Sequence, residues 1–245
     1  MTVKLGLIGY PLSHSFSKGY FTEKFTKENI PNHVYDTYPI EKIELVKDLF
    51  QTEHLAGLNV TIPYKEVVIP FLDELDVTAR EIGAVNTIKI SNGKKIGYNT
   101  DCYGFQKSFE PLLKPHHKKA LVLGTGGASK AVVYALKKLG IEYQYVSRTA
   151  NKDRWSYEQI TPEILKNFTV IINTSPVGMY PNVEQSPDLP YEAITEQHYL
   201  YDLVYNPEVT AFLQKGLDKG AQIKNGLDML HLQAEKAWEI WNTKE

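Results

Sequence analysis

Residues 118–140 read KKALVLGTGGASKAVVYALKKLG: a short apolar run, a glycine-rich turn, then a helical stretch that stops at Gly140. No other segment constrains the fold as strongly, because a strand that enters a helix through a tight turn packs that helix back on a sheet. Gly124 permits the turn. Gly126 lets the backbone approach a pyrophosphate seated on the helix N-terminus, where unpaired N–H groups collect. The third fingerprint position is Ser129 instead of glycine, so the motif is a variant. A glycine triplet can also be a turn that merely needs positive φ; the strand before it and the helix after it point to a nucleotide.

The same alternation runs along the chain. Short apolar strands are expected at Val3–Ile8, Val34–Tyr38 and Gly57–Ile62, the last stopped by Pro63. Helices are expected over Ser17–Asn29, Ile43–Phe50 and Asp101–Leu113, with shorter pieces at Lys65–Leu72 and Thr78–Ile82. Thr87–Ile90 and Lys95–Tyr98 flank Asn92-Gly93, a hairpin signal. In the second half IEYQYVSRT, FTVIINTSP, HYLYDLVY and GAQIKNG read as strands, with a helix over Glu208–Lys219 among those between them. In the final helix Met229, Gln233, Ala237 and Ile240 form one row, and Leu230, Ala234, Trp238 and Trp241 lie beside it. Strands alternating with helices predict parallel sheets and an α/β class of the doubly wound kind.

Composition narrows the function. The chain of 245 residues carries a net charge of −2 with no cluster of basic residues, which argues against a nucleic-acid partner. Runs such as TVIIN and ALVLG are too short to span a bilayer, and the start has no basic region or small-residue cleavage site, so neither a membrane anchor nor a signal peptide is expected. The single cysteine, Cys102, excludes an intrachain disulfide and fits a reducing cytoplasm. His231 and Glu235 have helical i,i+4 spacing, but two groups make a poor metal site, and no metal is expected.

The end of the strand after the glycine motif bears on the cofactor. An NAD site usually presents Asp or Glu there to bond the ribose hydroxyls. Here Ser147, Arg148 and Thr149 stand at that point, and Lys152 follows. A cation fits the 2′-phosphate of NADP, and a guanidinium plane can stack on adenine. A solvated loop arginine is the plainer alternative.

Eight motifs in order then carry a resemblance: GYPLSHSFS at 9–17, NVTIPYK at 59–65, GAVNT at 83–87, NTD at 99–101, GTGGAS at 124–129, SRT at 147–149, NTSPVGM at 173–179 and GLDMLHLQA at 226–234. Over essentially its full length the chain resembles the shikimate dehydrogenases. The resemblance implies a substrate domain of residues 1–101, completed by the C-terminal helix 227–245, and a Rossmann NADP domain of residues 102–226. It implies reversible reduction of 3-dehydroshikimate to shikimate with NADPH, a step of aromatic amino-acid synthesis, by a monomer or homodimer. Lys65 and Asp101 match the family's catalytic pair. Ser15 and Ser17 match the serines that hold the substrate carboxylate, and Thr61, Asn86, Tyr205 and Gln233 match further substrate positions. The resemblance places the cofactor on Gly124, Thr125, Gly126, Gly127, Ala128, Ser129, Ser147, Arg148, Thr149 and Lys152, with Leu203 and Gly226 at its nicotinamide end.

Each position also has a structural explanation. Lys65 could be a surface lysine at a helix start, and the two serines could cap a helix. Tyr205 could be a packed aromatic, Gln233 a polar helix edge, and Leu203 and Gly226 packing or turn residues. The chain departs from the family pattern at Lys18, at Phe21-Thr22, at Ser147 and at Cys102, whose thiol beside Asp101 is expected to be open to alkylation. Two other functions remain open: a quinate/shikimate dehydrogenase with broader substrate or NAD use, and a metabolite sensor on the same scaffold. Retention of both Lys65 and Asp101 favours the enzyme.

Overall fold

A computed structural model describes residues 1–12 and 16–243. The chain divides into two compact units, residues 1–100 with 234–245 and residues 101–233. Both are α/β.

The first unit contains β1 (Val3–Gly9), α1 (Phe16–Lys27), β2 (His33–Pro39), α2 (Val46–Leu49), β3 (Leu55–Val60), β4 (Glu74–Leu75), α3 (Val77–Ile82), β5 (Thr87–Ser91) and β6 (Lys94–Tyr98). These strands form one sheet in the order β2-β1-β3-β5-β6-β4. β1 pairs in parallel with β2 and β3, and β5 is antiparallel to both β3 and β6. Asn92 and Gly93 both take positive φ, 52° and 77°, as a two-residue hairpin turn requires.

One face of this sheet is filled by Ile8, Leu58, Val60, Tyr64, Val68, Val85 and Ile88. The other buries Leu5, Leu7, Tyr35, Phe21 and Phe25 with Ala234 and the half-buried Trp238 and Trp241. Gly57 explains how an indole fits against β3. A Cβ there would stand 2.2 Å from Trp241 Nε1, which instead donates to the Ile88 carbonyl at 2.9 Å.

The second unit begins with α4 (Asp101–Phe109) and continues through β7 (Lys119–Leu123), α5 (Gly127–Lys138), β8 (Glu142–Ser147), β9 (Arg154–Ser156), α6 (Pro162–Asn167), β10 (Val170–Asn173), β11 (Tyr199–Asp202), α7 (Ala211–Leu217), β12 (Gln222–Lys224) and α8 (Leu227–Asn242). Residues of α8 from 234 onward belong to the first unit. All six strands are parallel, in the order β12-β11-β10-β7-β8-β9. The chain builds outward from β7 to β9, then returns to β10 on the other side of β7. That reversal is the switch point at which doubly wound sheets bind ligands, beyond the carboxyl ends of their strands. Strands with helices on both faces must be buried on both, and β7, β10 and β11 are nearly continuous apolar runs.

Several elements differ from the sequence pattern for identifiable reasons. Residues 65–72 yield only a 3₁₀ turn at Ile69–Phe71, because Val67, Val68 and Ile69 are β-branched and Pro70 cannot donate. Residues 43–50 form a 3₁₀ turn and the one-turn α2. α4 ends at Phe109 and tightens into a 3₁₀ turn at Glu110–Leu112, where Pro111 breaks the α-helical bonding. α7 starts at Ala211, not Glu208, because the Thr210 hydroxyl caps it by accepting from Leu213 N. β4 and β9 are edge strands of two and three residues, too short to leave a periodic signal. Among the described residues no helix is long and apolar enough to cross a membrane.

Asp202, at the end of β11, is fully buried. Its carboxylate accepts from Thr210 Oγ1 at 2.6 Å, Asn173 Nδ2 at 2.9 Å and Val204 N at 3.0 Å. Burial outweighs these donors and pushes its pKa up to about 6. A carboxyl with a higher pKa folded than unfolded contributes stability that is fully present below the unfolded value, about 3.9, and lost as pH rises through the folded one. Thermal melts should therefore show the Tm of Asp202→Asn rising relative to the parent between about pH 4 and pH 7. A constant or falling difference would contradict a raised pKa.

Candidate active site

In the first unit the site residues gather where β3 ends, β5 begins and β6 ends. Thr61 N donates to the Ile8 carbonyl at 2.9 Å, and Tyr64 N donates to the Thr61 carbonyl at 2.9 Å. Tyr64 is buried and its hydroxyl donates to the Ile40 carbonyl. The Lys65 carbonyl accepts from Val85 N at 2.7 Å. A buried tyrosine on one side and a backbone bond on the other thus fix the chain at Lys65, whose side chain is half-buried. This is a built position, unlike a surface lysine at a helix start.

Asn86 is 3 % exposed. Its Oδ1 accepts from Thr100 N at 2.7 Å, and its Nδ2 donates to Thr100 Oγ1 at 2.9 Å. Its backbone donates to the Tyr98 carbonyl at 3.0 Å and accepts from Val60 N at 2.8 Å. Ser17 sits half-buried in the first turn of α1. Ser15 lies outside the described residues.

Asp101, Tyr205 and Gln233 belong to the second unit. Asp101 opens α4 and is 7 % exposed; a carboxylate in the first turn suits the helix dipole. Gln233, on α8, is 9 % exposed and donates from Nε2 to the Leu230 carbonyl at 3.0 Å. Tyr205 follows β11, and partial burial raises its phenol above the ordinary range. Cys102 is buried. Burial limits the access of bulk reagents to its thiol.

The glycine motif follows β7. Gly124 has φ +108°, and a Cβ there would lie 2.9 Å from Thr174 Oγ1. Gly126 is the N-cap of α5, with no side chain capping it and no acidic residue in the first turn. A Cβ on Gly126 would meet nothing within 4 Å. Thr125 is exposed, Gly127 and Ala128 are half-buried, and the buried Ser129 donates to the Gly126 carbonyl at 2.7 Å. Beyond the neighbouring β8, Ser147 Oγ donates to the Thr149 carbonyl at 2.8 Å, leaving Arg148, Thr149 and Lys152 exposed. Uncapped helix donors, open space at Gly126 and two cations on the adjacent loop suit a phosphate-bearing dinucleotide. Gly226 differs: a Cβ there would stand 2.2 Å from the Leu203 carbonyl oxygen, which is a packing reason for glycine.

Four residues that support this arrangement escape the sequence patterns: Tyr35, Asn59, Thr87 and Thr100. Asn59, Thr87 and Thr100 lie inside the motifs, and an asparagine in an apolar strand is itself a signal, since a buried amide needs partners. Among the described residues no group of three or more His, Cys, Asp or Glu side chains gathers as a metal site.

Residues 7–88 match the family model of the shikimate dehydrogenase substrate binding domain. A shikimate dehydrogenase (NADP(+)) of Carboxydothermus hydrogenoformans is 40 % identical over 253 aligned residues, covering 96 % of this chain and 90 % of its own. The crystal structure of shikimate dehydrogenase from Aquifex aeolicus matches with TM-score 0.87 at 38 % identity, over 98 % of this chain and 92 % of that one. Shikimate 5-dehydrogenase from Thermus thermophilus, in complex with NADP(H) and shikimate, matches with TM-score 0.86 at 29 % identity, over 98 % and 94 %.

The two kinds of glycine are separable by experiment. Gly126→Ala should leave Tm within about 2 °C of the parent while weakening binding of a pyrophosphate-bearing dinucleotide. Gly226→Ala forces the backbone at Leu203 to move and should cost ~1–3 kcal/mol, the range for overpacking. Calorimetry and dinucleotide titration of both variants check this. A large loss of Tm in Gly126→Ala would contradict the open space before it.

Proposed function

Because this chain belongs to the shikimate dehydrogenase family, we propose that it interconverts 3-dehydroshikimate and shikimate with NADP, using Lys65 and Asp101 as its acid–base pair. Residues 1–100 with the end of α8 recognise the substrate, and the doubly wound unit holds the cofactor. NADPH, when bound, supplies the hydride.

The observation that carries this proposal is the fixed run from Thr61 to Lys65, tied at both ends by backbone bonds. As the substrate ketone is reduced its oxygen gains alkoxide character, and a positioned ammonium stabilises that charge. Lys65 Nζ delivers the proton to this oxygen, and in the reverse direction takes it back. Asp101 orients the ammonium and accepts from a neighbouring ring hydroxyl. Asn86, with both ends of its amide held by Thr100, presents a fixed group to the ring hydroxyls. Ser17, with Ser15, holds the carboxylate. Backbone N–H groups at Gly126–Ala128 receive the pyrophosphate, and Arg148 with Lys152 receives the 2′-phosphate.

Initial-rate kinetics with shikimate and quinate, and with NADP and NAD, test the proposal. Shikimate with NADP should be the preferred pair, and a preference for quinate or NAD would contradict it. Arg148→Ala should raise the KM for NADP about ten- to a hundredfold, the worth of a charged hydrogen bond, and leave NAD use unchanged.

Lys65→Ala should fold like the parent and lose kcat by ~10²–10⁴-fold. The loss falls on kcat because alkoxide charge is present in the transition state and nearly absent in the bound ketone. Lys65→Arg should not rescue, since a guanidinium gives up its proton reluctantly. A folded Lys65→Ala variant with parental kcat and a raised KM would reduce Lys65 to a binding residue.

A further inference from the structure

Of the eight ordered motifs, NTSPVGM at 173–179 is the one from which the proposed site draws no residue. Its first residue, Asn173, ends β10, is fully buried and makes all the hydrogen bonds open to a carboxamide. Nδ2 donates to the Val177 carbonyl at 3.2 Å and to Asp202 Oδ1 at 2.9 Å. Oδ1 accepts from Ser175 N at 3.1 Å and from Ser175 Oγ at 2.7 Å. Asp202, in register with Asn173 on β11, accepts also from Val204 N at 3.0 Å. The pair therefore holds the loop after β10 through Ser175 and Val177, and the loop after β11 through Val204. Two further chain segments join it. Thr174 donates twice to the Leu123 carbonyl, from N at 2.9 Å and from Oγ1 at 2.8 Å, beside the Gly124 turn. Gly226 N donates to the Val204 carbonyl at 3.4 Å. The carboxyl ends of the adjacent strands β7, β10, β11 and β12 are thus tied to one buried amide–carboxylate pair.

We propose that Asp202 is a positioning residue for hydride transfer: with Asn173 it fixes the backbone at Leu203–Tyr205 and at Ser175–Val177 in one arrangement that seats the nicotinamide end of the cofactor. This rests on the assignment of that end to Leu203 and Gly226.

Leu203 lies between two fixed points. Its own N–H goes to the Asn173 carbonyl at 2.9 Å, and the next N–H, that of Val204, goes to the Asp202 side chain. Past the end of a strand the ladder offers no partner, and a side chain that accepts from the N–H two residues on takes its place. Asn173 does the same for Ser175 on the neighbouring strand. The bond from Asn173 Nδ2 to Asp202 Oδ1 then locks the two turns to each other. The carboxylate oxygens divide the work. Oδ1 takes the two fixed N–H groups, from Asn173 and Val204, and so holds the loops. Oδ2 takes the Thr210 hydroxyl at 2.6 Å, the group that caps α7. Hydride transfer depends on placement, since a shift of about 1 Å can cost on the order of 10²-fold in rate. The other end of the cofactor is assigned to Gly126 and Arg148, which this pair does not touch, so a change at Asp202 separates the two ends.

Asp202→Ala removes both oxygens. Measured well below its melting point, it should lose kcat about ten- to a hundredfold. Its binding of adenosine 2′,5′-bisphosphate, which has the 2′-phosphate and no nicotinamide, should stay at the parental level. Asp202→Asn keeps an oxygen for Asn173 and Val204, with its amide nitrogen toward Thr210, and should restore kcat. Thr210→Val removes the α7 cap and should lower Tm without lowering kcat. If Asp202→Ala does not fold, Asn173→Ser replaces it: this cuts the tie between the loops, leaves Asp202 with Val204 and Thr210, and should lower kcat in the same way. Parental kcat in the folded variant would overturn the proposal. So would a kcat that simply follows Tm through all the variants, Thr210→Val included, which marks a stability effect. An equal loss of adenosine 2′,5′-bisphosphate binding, which marks damage to the whole unit, would overturn it too. A parent enzyme that does not oxidise shikimate with NADP would overturn the assignment beneath it, and that outcome is visible before any variant is made.

Discussion

The first unit depends on how a buried amide is satisfied. Asn86 is almost wholly excluded from water, and both ends of its carboxamide are engaged by Thr100. Leaving one of these polar atoms unpaired would cost ~1–3 kcal/mol, so the pairing fixes Asn86 and also the path of the chain at Thr100. The next residue is Asp101, which opens α4. One satisfied amide therefore sets both its own carboxamide and the chain that leads into α4, whose first residue is the proposed acid–base partner. Lys65 is set by the same logic on the other side of Val85, through its own carbonyl.

The second unit meets a different constraint, that of packing backbones closely. Gly104 and Gly226 do this work in it, and the open space around Gly126 sets that glycine apart. At Gly104 a Cβ would stand 2.5 Å from the Met229 carbonyl, so α4 and α8 approach closely there. Gly226 plays the same part against Leu203. Gly126 faces open space at an uncapped helix start, where no packing demand explains it. The doubly wound order of the strands puts this glycine and Arg148 at the carboxyl ends of adjacent strands. The proposed phosphate site thus rests on topology as much as on the motif.

Much of this is legible in the sequence because its signals are local. The strand–glycine–helix run at 118–140, the Asn92-Gly93 hairpin and the strands with apolar runs all rest on neighbours in the chain, and each forms where expected. The two shortest strands, β4 and β9, are not legible, because two or three residues carry no period. The stretch after Lys65 reads as helical by its apolar spacing, but Pro70 and the β-branched run before it prevail. Of the site, the motif residues can be named from their order, but not what holds them. Tyr35 is an ordinary strand residue by pattern, and Thr87 closes the motif at 83–87 without a sign of what it holds. Their importance appears only once β2, β3 and β5 bring their hydroxyls to Asn59, a contact between residues 24 and 28 positions apart. The thiol of Cys102 illustrates the same limit, because its burial depends on packing that its neighbours in sequence do not reveal.

The central claim is that Lys65 serves as the proton donor to a shikimate-type substrate whose carboxylate is held by Ser17. A crystal structure with shikimate and NADP+ bound tests it most directly. The hydroxyl that is oxidised should lie within hydrogen-bond reach of Lys65 Nζ, about 2.6–3.2 Å, with Asn86 and Asp101 on the ring hydroxyls and the carboxylate on Ser17. A ligand bound with its carboxylate away from Ser17, or with its reacting hydroxyl out of reach of Lys65, would contradict it.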